Sequence, residues 1–379
     1  MAPIRLGVIG LSTRGWASRA LIPPIFDPLL SSKYQLTALC TTNPTSAQEA
    51  ARKYSELAGS KVKGYYGDEG AVALAQDPDV DMVVISVNIP EHLKVALPAI
   101  EAGKDISIEW TPGKGYQETL QIAEAVKRKG VRCLVGTQAV QGLYVKKVRE
   151  LITAGKIGRV LSSTIQLTAA HADLGMWGPI AYDGTRYLMD AKNHATPLTI
   201  TAGHLLAAVT DVLGDFAEVV ADATIRIDPN VQILNIDNKP TGEVIQKTVP
   251  DQYGIVGKLK DGIFVTVHVQ VGLRAEQAKG RRLFHWIIDG EEGSIEVQGL
   301  PEHGSLAFSP NIEKKVLLNG VEVPLEESEV DKLGYTGKAW LEFAKEDGNY
   351  PTIDDAVKLH RTIDAIERSI EEGRKVKLI

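Results

Sequence analysis

Six residues near the start of the chain, Gly10-Leu11-Ser12-Thr13-Arg14-Gly15, have the spacing of a phosphate-binding turn. They read G-x-S-x-x-G. In the full dinucleotide fingerprint the first glycine makes the tight turn, the second lets the backbone approach a pyrophosphate, and the third lets the next helix pack on the preceding strand. The first and third are in place. Ser12 at the second position gives up close approach but offers a hydroxyl to a phosphate oxygen. N–H groups opening the next helix would add donors and a positive partial charge. The loop, with Trp16 beside it, is therefore expected to hold a dinucleotide.

The end of the second strand decides which one. An NAD site usually carries Asp or Glu there, to bind the ribose 2′-hydroxyl. This chain has Cys40-Thr41-Thr42-Asn43-Pro44, and the first acid is Glu49. Thr41 and Thr42 suit a 2′-phosphate, and Arg14 is within reach of one. NADP is the expected cofactor, with NAD or dual use as the alternative.

Such a loop needs a strand before it and a helix after it. IRLGVIG is an apolar run ending in glycine, and TRGWASRALIPPIF has helical character up to Pro23-Pro24. YQLTALC, VDMVVISV, DISIEW and VRCLVGTQ read as further buried strands. Between them lie helices. The one in TSAQEAARKYSELAG is expected to start on Thr45 or Ser46 and stop at Gly59. Strands alternating with helices of roughly 10–15 residues predict a parallel, doubly wound Rossmann sheet over 1–138. Its strand ends line up along one edge, where Glu109 and Gln138 become nicotinamide-side contacts. After Gly158 the texture changes to period-two alternation with turn signals at Lys260-Asp261-Gly262, Asp289-Gly290 and Glu292-Gly293. Residues 139–379 are expected to form a second α/β domain around an antiparallel sheet covered on one face. A C-terminal helix closes it, with Thr352 and Asp355 as a capping box and Gly373 as the stop.

Composition sets the outer bounds. The 379 residues are 44% hydrophobic and 24% charged, with a net charge of −6. No basic surface for nucleic acid is expected, and neither a signal peptide nor a membrane span is read. Cys40 and Cys133 sit in apolar runs and read as buried free thiols of a reducing compartment. A cytoplasmic location follows, or a nuclear one for a regulator. No metal-ligand spacing is present.

Several stretches resemble the glucose–fructose oxidoreductase/inositol dehydrogenase/MocA family: DPDVDMVVISVNIPEHLKVALPAIEAGKDISIEW, and DAVKLHRTIDAIERSIEEGRKVKL at the end. TRGWA, IEW, RYLMDAKNHATPLTITAGH and KTVPD are similar to the branch that includes cofactor-binding repressors of the yeast galactose regulon. The resemblance implies a Rossmann domain followed by a large, open, mostly antiparallel sheet that often forms a homodimer interface. It also implies an E-K-P turn whose lysine moves a proton as hydride is transferred. Here that turn reads Glu109-Trp110-Thr111-Pro112, and an indole N–H is no base near neutral pH. The family's D-x-G-x-H-x-x-D pattern falls on Ile200–Ala207, which keeps His204 and lacks both acids. His204 is thus the inherited catalytic candidate. Tyr187, Asp190 and Lys192, in the segment that flanks the family's substrate cavity, are candidate substitutes in the proton relay. His171 and Trp177 are candidate cavity walls. Asn88 and His92, in the family's T-P-x-x-x-H region, are expected beside the cofactor, as is Trp110.

Two functions fit these residues. One is an NAD(P)-dependent oxidoreductase acting on a small carbonyl, sugar-like or enone substrate through a non-standard proton relay. The other is a redox-silent regulator that binds a dinucleotide and acts through a partner protein.

Overall fold

In the computed structural model, which describes residues 2–235 and 237–378, the chain groups into two units. The first takes Met1–Gln141 and Glu327–Val357; the second takes Gly142–Glu326 and Lys358–Ile379. The first is built on six strands: β1 (Ile4–Ile9), β2 (Tyr34–Thr41), β3 (Lys63–Tyr66), β4 (Met82–Ile85), β5 (Asp105–Ile108) and β6 (Cys133–Val135). They are all parallel, in the order β3-β2-β1-β4-β5-β6. The order reverses between β1 and β4, and ligands of such sheets bind outside the strand ends at that point. Buried on both faces, β4 is apolar at every position, as a central parallel strand must be.

Helices α1 (Pro44–Ala58), α2 (Gly67–Gln76), α3 (His92–Glu101) and α4 (Gly115–Lys129) make the crossovers. The N-cap of α1 is Asn43, whose side chain accepts from the Ser46 N–H at 2.9 Å, so neither Thr45 nor Ser46 is the cap. Pro44 fills the first helical position, where no N–H is needed, and Gly59 ends the helix at φ 62°. After the glycine loop the chain makes only a five-residue π-helical turn, Ala17–Leu21, and a short 3₁₀ turn, Pro23–Phe26. The two prolines remove donors that a longer helix would need.

A C-terminal piece joins this core. Helix α8 (Gly334–Phe343) follows α5–α7 of the second unit, given below, in chain order. It inserts Trp340 among Leu6, Tyr34, Leu36 and Met82. The Trp340 indole donates to the Leu21 carbonyl at 3.0 Å and its carbonyl accepts from the Tyr34 hydroxyl at 2.6 Å. Residues 327–357 thus leave the 139–379 stretch and pack with the dinucleotide fold.

The second unit contains α5 (Leu143–Thr153), β7 (Val160–Thr168), β8 (Ile180–Tyr182), α6 (Gly203–Leu213), β9 (Phe216–Thr224), β10 (Asn230–Leu234), β11 (Pro240–Gln246), β12 (Gln252–Leu259), β13 (Phe264–Gln270), α7 (Ala275–Ala278), β14 (Phe284–Gly290), β15 (Ser294–Gly299), β16 (Lys314–Leu318) and β17 (Val321–Val323). Helix α9 (Ile353–Glu372) enters it from the first unit, and β18 (Val376–Lys377) ends it. Nine strands form a sheet ordered β17-β16-β15-β14-β7-β13-β12-β9-β18. Its ladders are antiparallel except for β13 with β7. The turns at Lys260–Gly262 and Gly290–Gly293 connect β12 to β13 and β14 to β15 as expected, closed by hydrogen bonds from Leu259 N–H to the Ile263 carbonyl and from Gly290 N–H to the Gly293 carbonyl. Burial alternates along β12 and β13, so one face is covered and the other open. The strand in GEVIQ does not join this sheet. β11 pairs with β10, which pairs with β8 on its other edge, in a separate three-stranded sheet; β11 is exposed along nearly its whole length, with Ile245 alone packed on the small core under that sheet. The helical run 191–213 is apolar enough to cross a membrane, but 72% of its most apolar window is buried inside the protein, as a core helix is. Thr352 and Asp355 form the expected capping box at the head of α9. Cys40 and Cys133 are buried and free, and burial pushes both thiols up.

Candidate active site

The glycine loop follows β1 at the reversal point of the parallel sheet. Gly10 has φ 97°, and a Cβ there would lie 2.0 Å from the Ser86 carbonyl oxygen, so only glycine fits between β1 and β4. Gly15, at φ 106°, faces nearly open space, with only the Ser12 hydroxyl within 4 Å of a Cβ, at 3.8 Å. The Ser12 hydroxyl turns inward: it donates to the Arg14 carbonyl and accepts from the Arg14 N–H. It closes the loop instead of reaching outward. Lys53 donates to the Thr13 carbonyl at 3.4 Å and holds the loop's other side. Only a five-residue turn follows the loop, so no long helix N-terminus stands behind it.

Beside the loop lies a cavity of about 620 Å³ that runs from Gly10 and Ser12 to Thr41, Thr42 and Ser46 on one side and to Asn88 on the other. Thr41 spends its hydroxyl on the Asn43 carbonyl at 3.1 Å. Thr42 and Ser46 remain on the wall, with Arg14 exposed in the loop. Two acids also line the cavity, Asp68 and Glu91. Lys94 pairs with both, at 2.7 and 3.7 Å, and offsets part of their charge. A glycine turn, hydroxyls beyond β2 and an unobstructed cavity between them fit a dinucleotide.

On the far side of the loop the structure joins three residues assigned separately from sequence. The Glu109 carboxylate accepts from the Trp16 indole N–H at 2.8 Å and from the Gln138 amide at 3.2 Å. Burial pushes its carboxyl up to about 7, against the pull of these two donors. Trp110, next along, is buried, and its peptide bond to Thr111 is cis. His92 opens α3 and is buried. Its ring nitrogens face the Thr111 carbonyl at 2.7 Å and the Val87 carbonyl at 3.0 Å. Burial lowers its pKa, against the pull of these carbonyls, and the ring braces the loops after β4 and β5.

The remaining candidates lie in the second unit. Tyr187, Asp190 and Lys192 line one pocket of about 580 Å³ together with Arg186, Asn193 and Thr248; His204 does not line it. Asp190 accepts from the Lys192 backbone N–H at 3.0 Å, so its carboxylate caps a short turn. Burial raises the Tyr187 phenol, which stays protonated and can donate. His204 sits in the first turn of α6. Burial lowers its pKa to about 4, and its Nδ1 is buried with no partner among the described residues. His171 behaves likewise, with a pKa lowered to about 4, and packs edge-on against Phe308 at 4.4 Å. Trp177 is not a cavity wall. It is fully buried, and its indole donates to the Ala195 carbonyl at 3.1 Å.

Two clusters escaped sequence reasoning. Lys247 and Asp251, both in KTVPD, form an ion pair at 2.9 Å with no exposure of either side chain. Lys247 also donates to the Trp177 carbonyl, and Asp251 accepts from the Arg226 and Ile227 N–H groups. The lysine and aspartate four residues apart across a proline were the available signal. Glu367 faces His194 at 3.9 Å, and burial pushes Glu367 up to about 7. No sequence signal marks that pair.

A glycine-loop cradle on a sheet ordered 3-2-1-4-5-6, followed by a unit with a large mostly antiparallel sheet, defines a dinucleotide-binding oxidoreductase architecture. Residues 4–137 match the model of the oxidoreductase family with an NAD-binding Rossmann fold, GFO/IDH/MocA, and residues 144–299 match that of the Gal80p C-terminal domain. A dehydrogenase of Aspergillus oryzae, aclE, is 31% identical over 98% of this chain and 97% of its own length. The chain belongs to the GFO/IDH/MocA oxidoreductase family. The galactose/lactose metabolism regulatory protein GAL80 of Saccharomyces cerevisiae is 23% identical over 79% of this chain and 67% of its own. Among solved structures, a super-repressor mutant of Gal80p from the same yeast superposes with a TM-score of 0.82 at 21% identity, covering 99% of this chain and 98% of that one. Levoglucosan dehydrogenase in complex with NADH and levoglucosan superposes with a TM-score of 0.75 at 19% identity, covering 99% of each chain. These last two likenesses are of fold.

Proposed function

We propose that this protein is an NADP-dependent oxidoreductase that transfers hydride between the nicotinamide and a small carbonyl, sugar-like or enone substrate. The bound cofactor supplies or accepts the hydride. The protein binds, orients and manages the proton. The amides of Gly10–Gly15 hold the pyrophosphate, while Thr42, Ser46 and Arg14 favour a 2′-phosphate over a bare ribose. Trp110 occupies the position of the family's lysine and cannot replace it as a base. The proton falls to His204, with the Tyr187 hydroxyl as a second donor. The observation that carries the reading is the unpartnered Nδ1 of His204. A buried ring nitrogen without a protein partner is costly unless something supplies one. A neutral imidazole can accept a proton from a substrate hydroxyl or donate to a carbonyl oxygen, according to tautomer. The full-length similarity to a dehydrogenase supports the same reading.

The test is nicotinamide absorbance at pH 7 with a panel of aldehydes, ketones, sugars and enones. Turnover with at least one compound is expected, and His204→Ala should lower it by about 10²–10⁴-fold while leaving cofactor affinity intact. Cofactor binding without turnover across the panel would favour the second reading, a redox-silent regulator acting through a partner protein. That reading draws on the loss of the family's lysine and both acids and on the GAL80 relatives.

We also propose a homodimer through the open face of the nine-stranded sheet. Val220 and Val256 are paired there, with Phe264 on the next strand, and they are 41%, 40% and 49% exposed. A two-fold axis would lay this mixed face on its own copy. Light scattering should give twice the chain mass, and Val256→Lys should halve it.

A further inference from the structure

Glu109 lies just past β5, and two other segments meet on its carboxyl group. Trp16 comes from the glycine loop after β1, and Gln138 from the turn after β6. Gly136 completes the enclosure, because a Cβ there would lie 2.6 Å from the Glu109 Oε1. Both donors are neutral. Burial raises this carboxyl's pKa, and the Trp16 and Gln138 hydrogen bonds pull it down. His92, on the neighbouring loops, has its ring nitrogens engaged by the Val87 and Thr111 carbonyls, and burial lowers its pKa. The Glu109 carboxyl is therefore balanced near neutrality.

Its place in the fold says what would tip that balance. On a sheet of this order the adenosine half of a dinucleotide lies toward β2, and the nicotinamide half lies over the ends of β4, β5 and β6. Glu109 belongs to that second edge. An oxidised nicotinamide carries a positive charge, and a reduced one is neutral. An opposite charge within about 4–6 Å favours an ionised carboxyl strongly.

We infer that Glu109 takes up and releases a proton in step with the oxidation state of the bound nicotinamide, so that the site distinguishes the oxidised from the reduced cofactor in a pH-dependent way. This rests on the dinucleotide reading above but not on which function it serves. The oxidised cofactor binds with Glu109 as carboxylate, and its binding to the protonated form releases that proton to solvent. The reduced cofactor binds with Glu109 as carboxylic acid, and no proton leaves. The same carboxyl then recovers a proton from solvent when bound cofactor is reduced.

Calorimetry with NADP⁺ and NADPH between pH 5.5 and 8.5 reads this directly. The phosphates are common to both, so the ratio of the two affinities isolates the nicotinamide. That ratio should shift toward NADP⁺ by at least about tenfold as pH rises through neutrality. NADP⁺ binding near pH 6 should release close to one proton, seen by repeating the measurement in buffers of different ionisation enthalpy. In Glu109→Gln the ratio should be flat with pH. A second readout needs no cofactor. The Trp16 emission should titrate near pH 7, and the transition should vanish in Glu109→Gln and in Trp16→Phe. A pH-independent ratio in a protein that binds both nucleotides overturns the inference and leaves the cofactor reading standing. Binding of neither nucleotide overturns both. An emission transition that persists in Glu109→Gln assigns the proton elsewhere and overturns the inference.

Discussion

The dinucleotide cradle and the substrate-side candidates keep their chemistry in different places. In the cradle it is held by the backbone. Gly10 and Gly15 have positive φ, Ser12 closes the loop on the Arg14 backbone, and the phosphate donors we propose are main-chain amides. Replacing the middle glycine by serine leaves that arrangement intact. In the second unit the chemistry depends on side chains, and these have changed. The lysine position of the family is Trp110 in the first unit, and the acids flanking His204 are gone. What remains is a buried neutral imidazole and a pocket where Tyr187 and Lys192 stand together without it. Backbone sites tolerate drift in residue type, whereas proton relays do not.

Four substitutions press on that contrast. The largest effect is expected in the second unit's scaffold. Lys247→Met leaves Asp251 buried without its partner, and should cost about 3–5 kcal/mol in denaturant unfolding. Dinucleotide affinity per folded molecule should not change. Gly10→Ala forces a non-glycine residue to φ 97° and drives its Cβ into the Ser86 carbonyl. It should cost about 1–3 kcal/mol in stability and abolish nucleotide binding. A loop that bound normally with alanine there would remove the backbone argument.

The third concerns pH. His204 has a folded pKa of about 4, below its unfolded value of 6.5. Between those values the unfolded chain binds the proton and the folded chain does not. The stabilisation is therefore complete above about pH 6.5 and is lost as pH falls toward 4. His204→Gln should flatten the acid side of the stability profile in that window, by on the order of 1–3 kcal/mol. The smallest effect is on selectivity. Arg14→Ala should reduce the preference for NADP⁺ over NAD⁺ by about tenfold, the worth of one charge-assisted contact. An unchanged preference would move 2′-phosphate recognition onto Thr42 and Ser46 alone.

The sequence was informative where periodicity and glycine geometry decide the outcome. Five of the six parallel strands, the Lys260–Gly262 hairpin and the Thr352–Asp355 cap follow from patterns a few residues long; the short, half-exposed edge strand β3 carries no apolar run and is not read from the sequence. Longer-range features do not. Helix α8 is not read from the sequence at all, and its place in the first unit is set by Trp340 packing on Tyr34. A run of period-two alternation does not say which sheet it joins, so β11 fell into the wrong one. The cap of α1 moved to Asn43 because several capping residues stand side by side, and only the local φ values choose between them. For the candidate site, Trp16, Glu109 and Gln138 could each be named from the strand order, but not their shared hydrogen bonds. His204 could be aligned, but its burial could not be foreseen. That burial is a tertiary quantity, and it decides whether the ring is an acid or a neutral donor at pH 7.

The central claim is that main-chain amides around Ser12 bind a pyridine dinucleotide. Isothermal titration of the purified protein with NADP⁺, NADPH, NAD⁺ and NADH at low salt tests it most directly. The account predicts saturable binding of one nucleotide per chain, tighter with the 2′-phosphate and lost in Gly10→Ala. No heat and no saturation with any of the four, in a protein shown to be folded, would contradict it.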